Sequence, residues 1–357
     1  MIAIQVSRTG GPEVLEQVEL PDPEPGPGRV VVEVAAAGVN FIDTYQRSGL
    51  YPMELPFVVG QEGAGEVIAV GDGVQEVEVG DVVAWTNVIG SYASRHSIPW
   101  ERTIRVPETV DPETAAAVML QGLTADYLAT STYPLEPGHR CLVHAGAGGV
   151  GRLLIQIAKL RGAEVFATVG SPEKVEVARS AGADHVIDYR AQSFAEAIEK
   201  VAGPRSLDVV YDGVGAATFE DGLRLLKPRG MMVTFGNASG PVEPVSPLTL
   251  MRAGSVYLTR PTLGDYRPRR VQGASPASLR LDHRGLTRSA HRGSLPALRG
   301  RRGPSGARGA SHHRETTPRS LTGPQRGRTP RPPPPAPPGI EWRVLLRRSG
   351  RCRRPRP

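Results

Sequence analysis

The sequence predicts an α/β protein of two lobes followed by a basic tail, and three observations predict it. Residues up to about 120 are rich in Val, Gly and Pro and carry short apolar runs. From about residue 137, short strand-like runs alternate with amphipathic helical ones. From Pro268 onward neither period persists, and Arg, Pro, Gly, Ser and Ala dominate.

In the first segment, "RVVVEVAAAGV" and "GEVIAVGDGV" read as short strands joined by glycine turns, which suits a compact β-rich domain. In the second, "RCLVHAG" reads as a buried strand and "GVGRLLIQIAKLRG" as a helix ending at glycine. The pattern then repeats. "EVFATVG", "HVIDY", "LDVVYDGVG", "MMVTFG" and "SVYLTR" are predicted strands. "SPEKVEVARSAG", "SFAEAIEKVAG" and "TFEDGLRLLKPRG" are the helices between them. Alternation of this length implies a doubly wound parallel sheet of the Rossmann kind, with its ligand at the carboxyl ends of the strands. The domain reading is therefore 1–121 for a catalytic domain, 122–260 for a nucleotide-binding domain and 261–357 for a disordered basic tail.

The formal charge of +7 over 357 residues hides a split. From Pro268 the chain holds 22 arginines, no lysine and three acids, which leaves 21 basic against 33 acidic residues before it. The body has the balance of an ordinary acidic protein and the tail that of a polycation. Two cysteines, Cys141 and Cys352, exclude a disulfide framework and a zinc cluster. No charged region followed by a long apolar one opens the chain, and no apolar run is long enough to span a bilayer. The expectation is a cytoplasmic protein without a membrane partner.

"HAGAGGVG" supplies Gly146, Gly148 and Gly151 in the spacing GxGxxG, between a predicted strand and a predicted helix. Missing side chains let the backbone approach a pyrophosphate, and the helix N-terminus binds that anion. Gly149 and Val150 complete the loop. The second strand discriminates between coenzymes. An NAD site usually places an acid there for the ribose diol. This chain has "TVGSPEK", so Gly170 and Ser171 occupy the place, with Lys174 one turn on. A hydroxyl and an ammonium suit a 2′-phosphate, hence NADPH. Ser171 followed by Pro172 also reads as a helix start, and the two roles are compatible.

With these motifs in place, the chain resembles the zinc-free quinone oxidoreductases, the zeta-crystallin-like branch of the medium-chain dehydrogenase/reductase superfamily. The resemblance is carried by "AGVNFIDTYQRSGLYP", "LPFVVGQEGAGEV", "QGLTADYL", "HAGAGGVG", "AGADHVIDYR" and "FGNASGPVEPVSPL", and runs from the first residue to about Asp265. It implies a GroES-like catalytic domain beside the Rossmann domain and NADPH-dependent reduction of quinones or other small electrophilic acceptors. Hydride comes from the coenzyme and the protein orients the acceptor. It further implies that Asn40 and Tyr45 lie at the nicotinamide and acceptor cleft as catalytic residues, with Asn40 also contacting coenzyme. Thr124 is implied on the nicotinamide side, Gly148 to Gly151 on the pyrophosphate, and Ser171, Lys174 and Tyr189 around the 2′-phosphate. Phe235, Gly236 and Asn237 border the nicotinamide ribose. Tyr45 reads equally as a proton donor or as a rim residue, since a quinone can take protons from water.

No metal site is expected. Gly38 and Gln61 stand at the places matching the cysteine and histidine ligands of zinc-dependent relatives, and His96, His139, His144 and His185 have no ligand spacing. Asp126 is read as a surface change. The resemblance implies a homodimer through the edge of the Rossmann sheet. The alternative class is an NADPH-binding protein with an RNA-binding role or no catalytic role.

The tail departs from the resemblance. The codons of Ser311–Leu321, read one base later, can give A-I-T-G-K-L-L-L-D-P and a stop, the usual terminus of these relatives. Leu295-Pro296-Ala297 can shift to Y-P-L, and residues 298–310 can give S-E-A-A-E-A-H-R-A-L-E-G-R in the same offset. The expectation is a frameshift near Tyr266–Pro268. On that reading His312 and His313 are not ligands, and no specific nucleic-acid binding is expected from the arginines.

Overall fold

The computed structural model describes residues 1–266; the basic tail and the frameshift expectation attached to it lie outside the described residues. The first lobe opens on a ribbon in which β1 (Ile2–Val6) pairs antiparallel with β2 (Leu15–Glu19) and, further on, with β4 (Phe57–Val58). Beside it stands a five-stranded antiparallel sheet of β3 (Arg29–Gly38), β5 (Glu62–Val70), β6 (Val82–Thr86), β7 (Arg95–Pro99) and β8 (Thr103–Arg105), in the order β7-β3-β5-β6-β8. Val30, Val32, Val34, Val67, Val83, Trp85 and Ile98 fill its core. Alternate residues of β3 point inward, as a pleated strand requires.

Two helices depart from the β-rich expectation for this lobe. α1 (Phe41–Ser48) starts at Asn40, whose backbone N–H donates to the Asp43 carboxylate at 2.9 Å. It stops at Gly49, which adopts φ 83°. α2 (Pro112–Tyr127) starts at Asp111, which accepts the Thr114 N–H at 2.8 Å, with Pro112 at the first helical position. Ala115, Ala116 and Met119 of α2 pack on Ala64 and Ala84 of the first lobe, while Ala125 and Tyr127 enter the core of the second. The helix thus runs unbroken through 121/122 and joins the lobes.

The second lobe is the six-stranded parallel sheet β11-β10-β9-β12-β13-β14. Its strands are β9 (Arg140–Val143), β10 (Glu164–Val169), β11 (His185–Asp188), β12 (Leu207–Asp212), β13 (Leu226–Thr234) and β14 (Tyr257–Thr259). The helices are α3 (Gly149–Leu160), α4 (Pro172–Ser180), α5 (Phe194–Ala202), α6 (Phe219–Leu225), α7 (Pro247–Arg252) and α8 (Leu263–Tyr266). Along β9, Cys141 and Val143 face Leu154, Ile155 and Ala158 of α3, and Leu142 faces Phe166, Phe194 and Ile198 on the other side. Both faces are covered, which explains a continuous apolar run. Each such buried side chain stabilises the fold by about 1.5–3 kcal/mol. The strand order reverses between β9 and β12, and a crevice at that reversal is where such sheets bind ligands.

The fourth predicted helix is shorter than its sequence pattern. It stops at Leu225, and "LKPRG" already belongs to β13. Pro228 disfavours helical backbone before it and carries no N–H, and Arg229 takes φ 63°. At the end of the described chain, Tyr266 stacks on Tyr127 with ring centroids 4.4 Å apart.

Candidate active site

The glycine loop leaves β9 at His144 and enters α3 at Gly149. Gly148 is the helix N-cap and brings no side-chain hydrogen bond, so the first-turn N–H groups of Gly149, Val150 and Gly151 are uncapped. Gly146 is tied down by its N–H to Thr168 O at 2.9 Å. At Gly151 a Cβ would overlap the carbonyl oxygen of Ala145, so the helix approaches the loop as closely as only glycine allows. A helix N-terminus with free N–H groups is a place for an anion.

Next to it, at the end of β10, lie Gly170 and Ser171. A Cβ on Gly170 would overlap the Tyr189 phenol, which therefore leans over this glycine. Ser171 is the N-cap of α4, with Pro172 following, but its hydroxyl makes no cap bond. Ser171 Oγ is buried and meets no partner with hydrogen-bond geometry. It is still close enough to Glu173 to be the main cause of that carboxyl lying below its ordinary range. Geometry decides against a strong bond here, so the hydroxyl keeps unused hydrogen-bonding capacity. Lys174 is exposed on the first turn of α4. The uncapped loop, the glycine cradle and the hydroxyl–ammonium pair fit a dinucleotide bearing an extra phosphate.

Between the lobes, Tyr45 of α1 is buried to 8% exposure, and its phenol oxygen accepts the backbone N–H of Asn237 at 2.8 Å. Burial raises the Tyr45 phenol above its usual range, against the opposing pull of the Asn237 N–H and the Arg260 charge. Phe235, Gly236 and Asn237 follow β13, anchored by Phe235 N–H to Asp212 O at 2.8 Å. Asn40 is also buried. Its side-chain amide donates to Glu62 Oε1 at 2.7 Å and its amide oxygen accepts from Gln121 Nε2 at 3.3 Å. The Gln121 amide in turn occupies the space a Gly149 side chain would need. A chain of contacts therefore links Glu62, Asn40, Gln121 and the glycine loop. Thr124 is buried three residues after Gln121, on the same face of α2. Asp126, read as a surface residue, is exposed.

The structure thus brings Tyr45 to Asn237, ties Asn40 to Gln121 next to the glycine loop, and sets Gly170 and Ser171 at the end of β10, with Tyr189 leaning over Gly170 and Lys174 one turn on. Sequence reading missed Glu62, Gln121, Tyr51 and Arg260. Glu62 is fully buried and its carboxyl is pushed up to about 7, chiefly by burial. Asp43, which accepts Tyr92 O–H at 2.7 Å, is pushed up to about 6 for the same reason. Only the buried acid in "GQEGAG" could have flagged Glu62; the others are ordinary residues by local pattern.

The described residues offer a metal ion no donor set. Among the described residues no three of His, Cys, Asp and Glu gather in a way that could hold an ion. Gln61 offers no thiolate or imidazole, and Cys141 is sealed in the sheet with its thiol pushed up to about 12. The four histidines are committed to packing or pairing elsewhere, for example His144 to Thr168 at 2.9 Å and His185 to Glu164 at 2.9 Å.

Fold and cleft define a two-lobed dehydrogenase/reductase, with a GroES-like lobe set against a dinucleotide-binding one. Residues 26–136 match the alcohol dehydrogenase GroES-like domain family, and residues 149–276 match the family described as zinc-binding dehydrogenase. The quinone oxidoreductase of Pseudomonas aeruginosa is 47% identical over 286 residues, covering 79% of this chain and 88% of that protein. Quinone oxidoreductase 1 of Escherichia coli K12 is 44% identical, covering 74% and 81%. The crystal structure of Escherichia coli quinone oxidoreductase complexed with NADPH superposes with a TM-score of 0.73 at 43% identity, covering 74% of this chain and 82% of that one. The chain belongs to the quinone oxidoreductase family.

Proposed function

We propose that this protein reduces quinones with NADPH in the cleft between its lobes, without a metal ion. The observation that carries the reading is the meeting of Tyr45 with Asn237, together with an uncapped glycine loop that Gln121 links to Asn40. NADPH supplies hydride when bound. Gly148 to Gly151 hold its pyrophosphate with backbone N–H groups, and Gly146 lets the loop turn beneath them. Ser171, Lys174 and Tyr189 hold the 2′-phosphate over Gly170. Phe235, Gly236 and Asn237 wall the ribose. Thr124 closes the nicotinamide side.

Asn40 is fixed by Glu62 and Gln121, so its amide does not rotate when an acceptor arrives. Tyr45 accepts from Asn237 and, among the described residues, gives its own proton to no acceptor. Its O–H is therefore available to the oxygen of the acceptor, and its high phenol pKa keeps that proton in place at neutral pH. The zinc suggested by the name of the second matched family has no donor set among the described residues, and no step uses it.

The catalytic domain is proposed as residues 1–121 and the nucleotide domain as 122–260, sharing α2. A homodimer through the outer edge of the Rossmann sheet is proposed, supported by Tyr257 on edge strand β14 and by Leu248 and Met251 nearby, all more than half exposed. A cytoplasmic location is proposed; among the described residues no helix is long and apolar enough to cross a membrane.

The relatives favour the enzyme over the non-catalytic, RNA-binding alternative. The discriminating experiment follows nicotinamide absorbance with 1,4-benzoquinone added. Quinone-dependent loss supports the enzyme. No loss, together with RNA binding that resists high salt, supports the alternative.

A further inference from the structure

Arg260 follows β14 and reaches across to the other lobe. Its Nη1 donates to Gly236 O at 3.0 Å and to Thr234 Oγ1 at 3.3 Å, and its Nη2 donates to Tyr51 Oη at 3.1 Å. With the Asn237 amide in the orientation that satisfies its neighbours, Arg260 Nη2 also meets the Asn237 side-chain oxygen at 3.1 Å. Tyr51 stands edge-on to Tyr45, with ring centroids 5.3 Å apart. Among the described residues no carboxylate forms an ion pair with Arg260. Every partner named above is neutral, so the positive charge is not cancelled where it sits.

We propose that Arg260 is a positioning residue that holds a fixed positive charge, through Tyr51 and Asn237, beside the place where the acceptor oxygen becomes an anion. The inference rests on the quinone reductase reading. A quinone that takes up hydride from NADPH becomes a hydroquinone monoanion, leaving NADP⁺, and one proton from Tyr45 or water completes the hydroquinone. The negative charge appears on oxygen before that proton arrives. A positive charge already in place stabilises it with no reorganisation, which is the largest single contribution many active sites make. The Arg260 charge already reaches Tyr45, since it opposes the rise that burial imposes on that phenol. Arg260 is exposed, so solvent screens its charge and the effect is moderate rather than that of a dry ion pair. The arrangement favours acceptors whose reduction leaves charge on a conjugated oxygen.

The test needs a readout other than turnover. 4-Nitrophenol mimics the reduced acceptor oxygen, and its coloured phenolate reports its ionisation when bound. In the wild-type chain the bound phenol is expected to ionise about one pH unit below the free compound. Arg260→Gln should abolish that displacement, Arg260→Lys should keep part of it, and Tyr51→Phe should reduce it. In turnover with benzoquinone, Arg260→Gln should lower kcat about tenfold or more while NADPH affinity, read by its fluorescence, stays unchanged. The proposal is overturned if the bound phenol ionises as the free one does, or equally in Arg260→Gln. It is also overturned if NADPH affinity falls in step with kcat in both Arg260 variants, the mark of a structural role. Absence of turnover with an intact phenol displacement would refute the quinone reading and leave the charge effect standing.

Discussion

The phenol oxygen of Tyr45 accepts the backbone N–H of Asn237 at 2.8 Å, a bond between residues 192 positions apart that spans the two lobes. One end lies on α1 of the catalytic lobe and the other just past the fifth strand of the parallel sheet. The lobes are therefore tied together at this point by a group whose own O–H meets no acceptor among the described residues. Tyr45→Phe strands the Asn237 N–H, which should cost about 1 kcal/mol in a denaturant titration. It should also lower kcat for benzoquinone about tenfold with little change in the KM for NADPH, since water substitutes as proton source.

Gly151→Ala tests the loop. The new methyl would collide with the Ala145 carbonyl, a backbone atom that cannot swing aside. Displacing the loop should weaken NADPH binding at least tenfold and cost about 1–3 kcal/mol of stability. A fluorescence titration and a melt on the same sample separate the two effects.

Coenzyme choice should depend on Lys174. Lys174→Glu replaces an ammonium with a carboxylate one turn from Ser171. It should lower kcat/KM for NADPH by about tenfold to hundredfold and leave NADH nearly untouched. An equal loss for both coenzymes would remove Lys174 from the 2′-phosphate site.

Glu62 makes stability depend on pH. Its carboxyl is raised from 4.5 to about 7 in the folded chain, so the fold holds its proton more tightly than the unfolded chain does. The associated stability is complete below about pH 4.5 and is lost as pH rises through about 7, amounting to at most about 3 kcal/mol. Asp43, raised to about 6, adds a loss of the same sign at slightly lower pH. Glu62→Gln should flatten the decline between pH 5 and about 8 in thermal melts, whatever it does to absolute stability. An unchanged slope would show that Glu62 is not the titrating group.

What the sequence revealed was what neighbouring residues encode. The Rossmann order followed from alternation of strand and helix runs, and the loop from glycines at fixed offsets between β9 and α3. Gly170 and Ser171 were legible because the second strand ends there. The interior of α1 and α2 was not, because the Val- and Gly-rich strands around them set the compositional reading. The stop of α6 at Leu225 was hidden by an apolar period that runs on to Leu226, although Pro228 carried the warning. The pairs Glu62–Asn40, Asn40–Gln121 and Tyr51–Arg260 join residues 22, 81 and 209 positions apart. Nothing local marks such partners: tertiary packing brings them together, and of the three only Tyr51–Arg260 crosses from one lobe to the other.

The central claim is that NADPH held by the glycine loop reduces a quinone in this cleft with no metal ion involved. The direct measurement is NADPH consumed against hydroquinone formed by the full-length chain, with and without a strong chelator. The account predicts mole-for-mole conversion that the chelator leaves unchanged. NADPH that binds but is not oxidised when quinone is added, or conversion that the chelator stops, would contradict it.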